Sequence, residues 1–203
     1  MRAFRATPDG YEAALEPFER EVLTRVVGDV LELLESTAPE RPAVADDELP
    51  SWSVAATATR PLDTALARLL PDASTDDAEL AAEFRRLTQD DLRATKSAGL
   101  RLLAGLLAAA PSDAGAARLL VARDQGGRVA AAFTDVRLVL ADRLDLRTDE
   151  DAEALHSELA APRARRGRAD SRHALAELYE ALTWWQESLL EVLAADLPEG
   201  PTA

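Results

Sequence analysis

An all-α fold, a bundle of five or six helices with a small N-terminal β-hairpin, is what the sequence predicts, and three observations carry it. Apolar residues recur every three to four positions over five long stretches, the period of a helix with one buried face. Prolines 8, 17, 39, 42, 50, 61, 71, 111 and 198 stand at or beyond the ends of those stretches, where a missing N–H breaks no ladder. Only near the N-terminus do two short segments flank a turn tripeptide. The 203 residues are 47% hydrophobic but 4% aromatic, so Leu, Ala and Val must do most of the packing.

Residues 2–7 and 11–15 flank Pro8-Asp9-Gly10, in which glycine accepts a positive φ, and this predicts the hairpin. Two strands alone are marginal, so the hairpin must lie on something larger. Pro17 suits the first turn of a helix running to about Glu35. Its apolar residues, Phe18, Val22, Leu23, Val26, Val27, Val30, Leu31, Leu33 and Leu34, cover over half the circumference and predict a central helix. Residues 37–61, with four prolines and Asp46-Asp47-Glu48, read as a polar surface loop.

A short helix at 63–70 is started by Asp63 and stopped by Pro71. Two helices are expected next. One spans Asp76 to Leu87 with Leu80, Phe84 and Leu87; the other, 89–110, starts at the near capping box of Thr88 and Asp91 and carries the stripe Leu92, Gly99, Leu103, Leu106 and Leu107. Leu119-Leu120-Val121 reads as a brief apolar segment, compatible with a strand. The helix 127–144 places Val129, Phe133, Val136, Leu140 and Leu144 on one face. Residues 145–172 form a second polar segment, with helical turns around 149–160. The last helix, 171–195, turns Leu175, Leu178, Leu182, Trp185, Leu189 and Leu193 inward. Residues 1–197 therefore read as one helical domain and 198–203 as a disordered tail.

Charge and composition exclude much chemistry. Lys and Arg number 23 against 37 Asp and Glu, a net −14, which disfavours a dedicated nucleic-acid binder. With no Cys there is no disulfide scaffold, thiol nucleophile, iron–sulfur cluster or Cys-based zinc site, and two His make a His-built metal centre nearly impossible. No cofactor motif is present. The charged N-terminus has no apolar signal region, and Leu102–Ala110 is far short of the roughly 20 residues of a membrane span, so a cytoplasmic location is expected.

An arginine cluster and one tryptophan stand out as contact candidates. Arg163, Arg165, Arg166 and Arg168, with Arg172, form the one basic concentration, able to meet an acidic protein surface or a phosphate backbone, or to offset the acidic stretch before it. Trp184 points about 180° from Leu175 and Leu193, among Glu177, Glu180, Glu187 and Glu191. It is either covered by another segment, such as 37–61 or the arginine stretch, or it is a partner contact.

Other polar residues have blander readings. Lys96 falls on an apolar stripe, where a lysine snorkels or pairs with a carboxylate more often than it acts as a nucleophile. Arg137, at the edge of another stripe, is expected to fork onto a carboxylate or helix C-terminal carbonyls. Asp135 and Asp142, one heptad apart on the polar face, are expected to be exposed, as are His156 and His173. No catalytic constellation emerges.

Four stretches, taken in order, carry a resemblance: Asp9-Gly10 with Leu15 to Glu19 (LEPFE), Arg60 to Asp72 (RPLDTALARLLPD), Asp135 to Leu140 (DVRLVL) and Leu182 to Leu189 (LTWWQESL). Together they resemble the actinobacterial domain-of-unknown-function family encoded beside the ClpS adaptor, which includes the AosR-type oxidative stress regulator of transcription. The resemblance implies a helical regulatory protein without established catalytic residues. Without Cys, disulfide-based sensing cannot occur within this chain. The expectation is a non-enzymatic regulator acting through protein contacts, with a sigma factor or a Clp pathway component as partner. DNA binding through Arg163–Arg172 is the disfavoured alternative, and a homodimer burying the last helix is compatible with either.

Overall fold

A computed structural model describes residues 1–36, 61–74, 76–110, 112–113, 115–160 and 171–197. The elements run β1 (Arg5–Thr7), β2 (Gly10–Leu15), α1 (Pro17–Ser36), α2 (Thr64–Leu69), α3 (Ala78–Ala109), β3 (Ser112–Asp113), β4 (Ala116–Val121), α4 (Gly126–Arg143), α5 (Asp149–Ala160) and α6 (Ser171–Ala195), with a 3-10 turn at Arg123–Gln125. The mostly helical fold with an N-terminal hairpin is the one expected. Most of the loop at 37–61, the residues 161–170 and the tail 198–203 lie outside the described residues.

The hairpin rests on β4. The antiparallel order is β1-β2-β4-β3, with Tyr11 opposite Val121 and Leu15 opposite Ala117. Alternation settles the faces: Tyr11, Ala13 and Leu15 of β2 and Ala117, Leu119 and Val121 of β4 are all buried. Gly10 has φ +141°, and a Cβ there would drive into the Val121 carbonyl oxygen.

The helices depart from expectation in three places. The two helices expected over 76–110 are one, α3, capped by Asp77, whose carboxylate accepts from Leu80 N at 2.9 Å. Thr88 does not cap, because its hydroxyl donates back to the Phe84 carbonyl at 2.9 Å and no Gly or Pro stands near it to break the ladder. The central helix is α4 and not α1: α1 buries only Leu23, Val27, Val30 and Leu34, and leaves Phe18 75% exposed. Helix α4 touches α1, α2, α3 and α6, and buries 11 residues, including Asp135 and Asp142. Its other side is not wholly solvated: Gly127, Ala131 and Thr134 are exposed, but Asp135 and Asp142 are covered by side chains from α3 and α2.

At the middle of the core Phe4, Phe133 and Trp185 stack in tilted pairs, with Trp185 4.9 Å from Phe4 and 5.1 Å from Phe133 between centroids. Trp185 Nε1 donates to Arg2 O at 3.0 Å, and Phe4 N donates to Ser188 Oγ at 3.1 Å. The segment before β1 is thus tied to α6. At the far end of α6, Asp196 accepts from Tyr11 Oη at 2.9 Å and is ion-paired to Arg123, which closes the sheet against the helix.

Two glycines test this arrangement. Gly10→Ala is expected to cost about 2–4 kcal/mol, from the positive φ and the clash with β4. Gly28→Ala, in the open interior of α1, should stabilise by about 0.5–1 kcal/mol. Urea unfolding of both variants, with unchanged m-values, checks the contrast.

Candidate functional site

Helix α4 must satisfy three polar side chains in a crowded setting, and each draws a partner from a different element. Lys96 of α3 reaches Asp135 as an ion pair, with the lysine side chain 19% and the aspartate 4% exposed. Lys96 is therefore held by a carboxylate, the more common of the two readings of a lysine on an apolar stripe. Burial pushes the Asp135 carboxyl above its ordinary value, and the hydrogen bond and charge of Lys96 hold it partly back.

Arg137 finds neither a carboxylate nor helix-end carbonyls. Its Nη1 donates to Gln186 Oε1 at 2.7 Å, and its guanidinium lies 5.4 Å from the centre of the Tyr179 ring. The Gln186 amide nitrogen donates in turn to Ala130 O at 3.0 Å and Thr134 Oγ1 at 2.7 Å. This buried glutamine therefore bolts α6 to α4 with both ends of its amide.

The third residue, Asp142, gathers the densest charge cluster among the described residues. Its Oδ2 accepts from the Thr64 hydroxyl at 2.7 Å; its Oδ1 lies 3.2 Å from Arg147 Nη1 and 3.5 Å from Arg68 Nε. Asp63, the α2 N-cap, accepts from Leu66 N at 3.0 Å and pairs with Arg143 at 2.9 Å, which holds its carboxyl below the ordinary value. Helix α4 ends beside this cluster in a Schellman motif. Leu146 N donates to Ala141 O at 2.9 Å, with Asp145 at φ +61° in the position glycine usually takes. Arg68 Nη2 secures the turn by donating to Leu146 O at 2.7 Å.

An open cleft of about 570 Å³ lies beside the cluster, lined among others by Arg68, Asp72, Arg147, Thr148, Asp149 and Tyr179. Its two arginines are already committed to Asp142, so the arrangement orients a helix end rather than presenting a free cation. Among the described residues no group of three or more His, Asp or Glu is placed to hold a metal ion.

Both expectations of exposure for the α4 aspartates were wrong. Asp135 is 3% and Asp142 6% exposed, because four helices surround α4. His156 is exposed and 3.0 Å from Glu180, as expected of a surface residue; His173 is half-buried, its side chain 18% exposed and 3.3 Å from Glu177. Sequence reasoning missed Thr64, Arg68, Asp142 and Gln186. One signal was available: between Val129 and Ala141 only Asp135 and Arg137 are charged, the mark of a helix that gives most of its circumference to neighbours.

Of the contact candidates, Trp184 is 47% exposed on α6, beside the exposed Glu177, Glu187 and Glu191. Its neighbour Trp185 is fully buried, as expected. Arg163, Arg165, Arg166 and Arg168 lie outside the described residues. Arg172, just beyond them, pairs with Glu158 of α5 at 3.3 Å. No helix of the described residues is long and apolar enough to cross a membrane.

Fold and site together define a helical domain whose buried polar residues work as fasteners between elements. A family profile described as Domain of unknown function (DUF2017) matches residues 1–193, and the chain belongs to that family. No curated protein and no solved structure matches it.

The Lys96–Asp135 pair yields a test. Asp135→Ala strands the lysine and should cost about 2–3 kcal/mol, below the usual range for a broken buried pair because part of Lys96 reaches water. Lys96→Met with Asp135→Leu should equal the wild type or exceed it by about 1–4 kcal/mol at neutral pH. The sign with pH follows from the raised carboxyl. Between the ordinary value of 3.8 and the higher folded value, the folded state binds more protons than the unfolded, so this residue's contribution falls as pH rises. The advantage of the double variant should therefore grow with pH across that window and level off above it, in urea titrations at a series of pH values.

Proposed function

We propose that this chain is a non-enzymatic cytoplasmic regulator that acts by docking a partner protein on the outer face of α6. The observation that carries the reading is Trp184, a large aromatic left 47% exposed among acidic side chains while the neighbouring Trp185 is sealed in the core. A tryptophan rimmed by carboxylates suits an arginine- or lysine-rich segment. Its ring face takes the cation, and the rim steers the approach and selects against acidic competitors. The buried polar groups support the reading from the other side, since Lys96, Arg137 and Asp142 are spent on holding helices together.

The resemblance noted in the sequence directs the choice of partner. A component of the transcription machinery such as a sigma factor is the first candidate, in a stress-related regulatory role; a Clp pathway component is the second.

Capture from native lysate, followed by binding measurements on the recovered partner, tests the proposal. Trp184→Ala should weaken binding about tenfold or more, as expected for an aromatic anchor. Glu187→Lys with Glu191→Lys should do the same and reduce the salt dependence of association. Neither change should move stability by more than about 0.5–1 kcal/mol. Reversing Arg163, Arg165 and Arg166 provides the comparison. A partner lost only by that variant places the contact on the arginine stretch and overturns the assignment to α6.

A further inference from the structure

Helix α3 presents an outer face that no described element covers. Leu80, Phe84 and Leu87 are 55%, 49% and 60% exposed, and they repeat at intervals of four and three. The same heptad spacing continues through Asp91, Ala94, Ala98, Arg101, Gly105 and Ala108, every one of them exposed. The opposite side of the helix carries Leu100, Leu103 and Leu107, fully buried against the rest of the chain. A 3.5-residue repeat on the solvent side of a 32-residue helix is a second seam, separate from the one that faces the core.

The composition of that seam says what fits it. Its N-terminal half is bulky, with Leu80, Phe84 and Leu87. Its C-terminal half is small, with Gly105 and Ala108, and its middle is Ala94 and Ala98. Turned antiparallel about a point level with Lys96, the seam matches itself. Ala94 meets Ala98 of the second copy, Leu87 meets Gly105 and Phe84 meets Ala108, so that bulk lies against space along about 40 Å of helix. The seam's two charges obey the same symmetry: Asp91 and Arg101 are of opposite sign and equidistant from the midpoint, so the Asp91–Arg101 pair forms twice across the axis, once at each end. Arg101 already contacts Glu35 of α1, and its fork has donors to spare for a second carboxylate.

Charge permits the approach. The whole chain carries −14, but α3 holds four acidic and five basic side chains, so two copies do not repel along this face. We infer that the outer face of α3 is a self-association surface: two copies of this chain pair antiparallel through Phe84–Ala108, with Asp91 of each against Arg101 of the other.

Sedimentation velocity over a concentration series on the full chain tests this. The wild type should reach a dimer. Ala98→Arg, at the point of closest approach, should leave a monomer with an unchanged melting curve. Asp91→Arg and Arg101→Asp should each weaken the dimer about tenfold, and the two together should restore it to within about threefold, because the pair is exchanged and not removed. This rescue separates loss of the interface from loss of the fold. Trp184→Ala should leave the dimer intact, so the outcome is independent of the docking role proposed for α6. A wild type that stays monomeric at every concentration, or a dimer indifferent to both single reversals, overturns the inference.

Discussion

The packing of four helices around α4 is the constraint on which the rest of the structure depends. A helix surrounded by four others cannot leave a carboxylate or guanidinium to water, yet α4 carries Asp135, Arg137 and Asp142 on its enclosed length. Each must be met from outside, and each is met by a different element. Lys96 comes from α3, Gln186 and the Tyr179 ring from α6, and Thr64 and Arg68 from α2. The three contacts are therefore instructions about which helix goes where. An apolar replacement would bury as well, but it would not distinguish one neighbour from another.

The same constraint explains two of the stretches that carry the family resemblance. The segment from Asp63 to Asp72 supplies the α2 cap, the hydroxyl and guanidinium that meet Asp142, and a carboxylate that pairs with Arg85 of α3. The segment from Leu182 to Leu189 supplies Trp185, Gln186 and Ser188, which together fix the N-terminal segment and α4. Trp184 and Glu187 are the two residues of that segment turned to solvent. A motif can thus be dense with polar residues for reasons of assembly alone.

Periodicity made most of the helices legible, because a one-sided apolar stripe is written directly in the spacing of residues such as Val129, Phe133, Val136 and Leu140. The hairpin was legible from Pro8-Asp9-Gly10 and the extended segment at Leu119-Leu120-Val121 from its apolar run, while their pairing was not, since contact between residues a hundred positions apart leaves no local mark. The break expected at Thr88 failed because a threonine hydroxyl can return to the preceding turn as readily as it can cap the next. Asp135 and Asp142 were misplaced for a related reason. A charged residue opposite an apolar stripe reads as solvated unless the alanines around it are taken as room for a second neighbour. The outward turn of Trp184 was readable because its angular distance from Leu175 and Leu193 is fixed by helix geometry alone. The α3 seam was not: Leu80, Phe84 and Leu87 look like any core stripe until the buried side of the helix is seen to lie elsewhere.

The distribution of charge separates the two free surfaces. Helix α6 carries Glu177, Glu180, Glu187 and Glu191 against Arg172 as its one arginine, whereas α3 balances its acids with its bases. At physiological ionic strength exposed charges act over about 8 Å, so each helix face is felt by an approaching molecule largely on its own terms and not through the net charge of the chain. In the docking role proposed for it, the α6 face selects by sign, favouring cationic segments over another copy of itself. The α3 face has almost no sign to discriminate by, and it selects by shape and by the position of one acid and one base. A surface of the first kind recognises a different molecule, and one of the second kind is matched by its own image under a two-fold rotation.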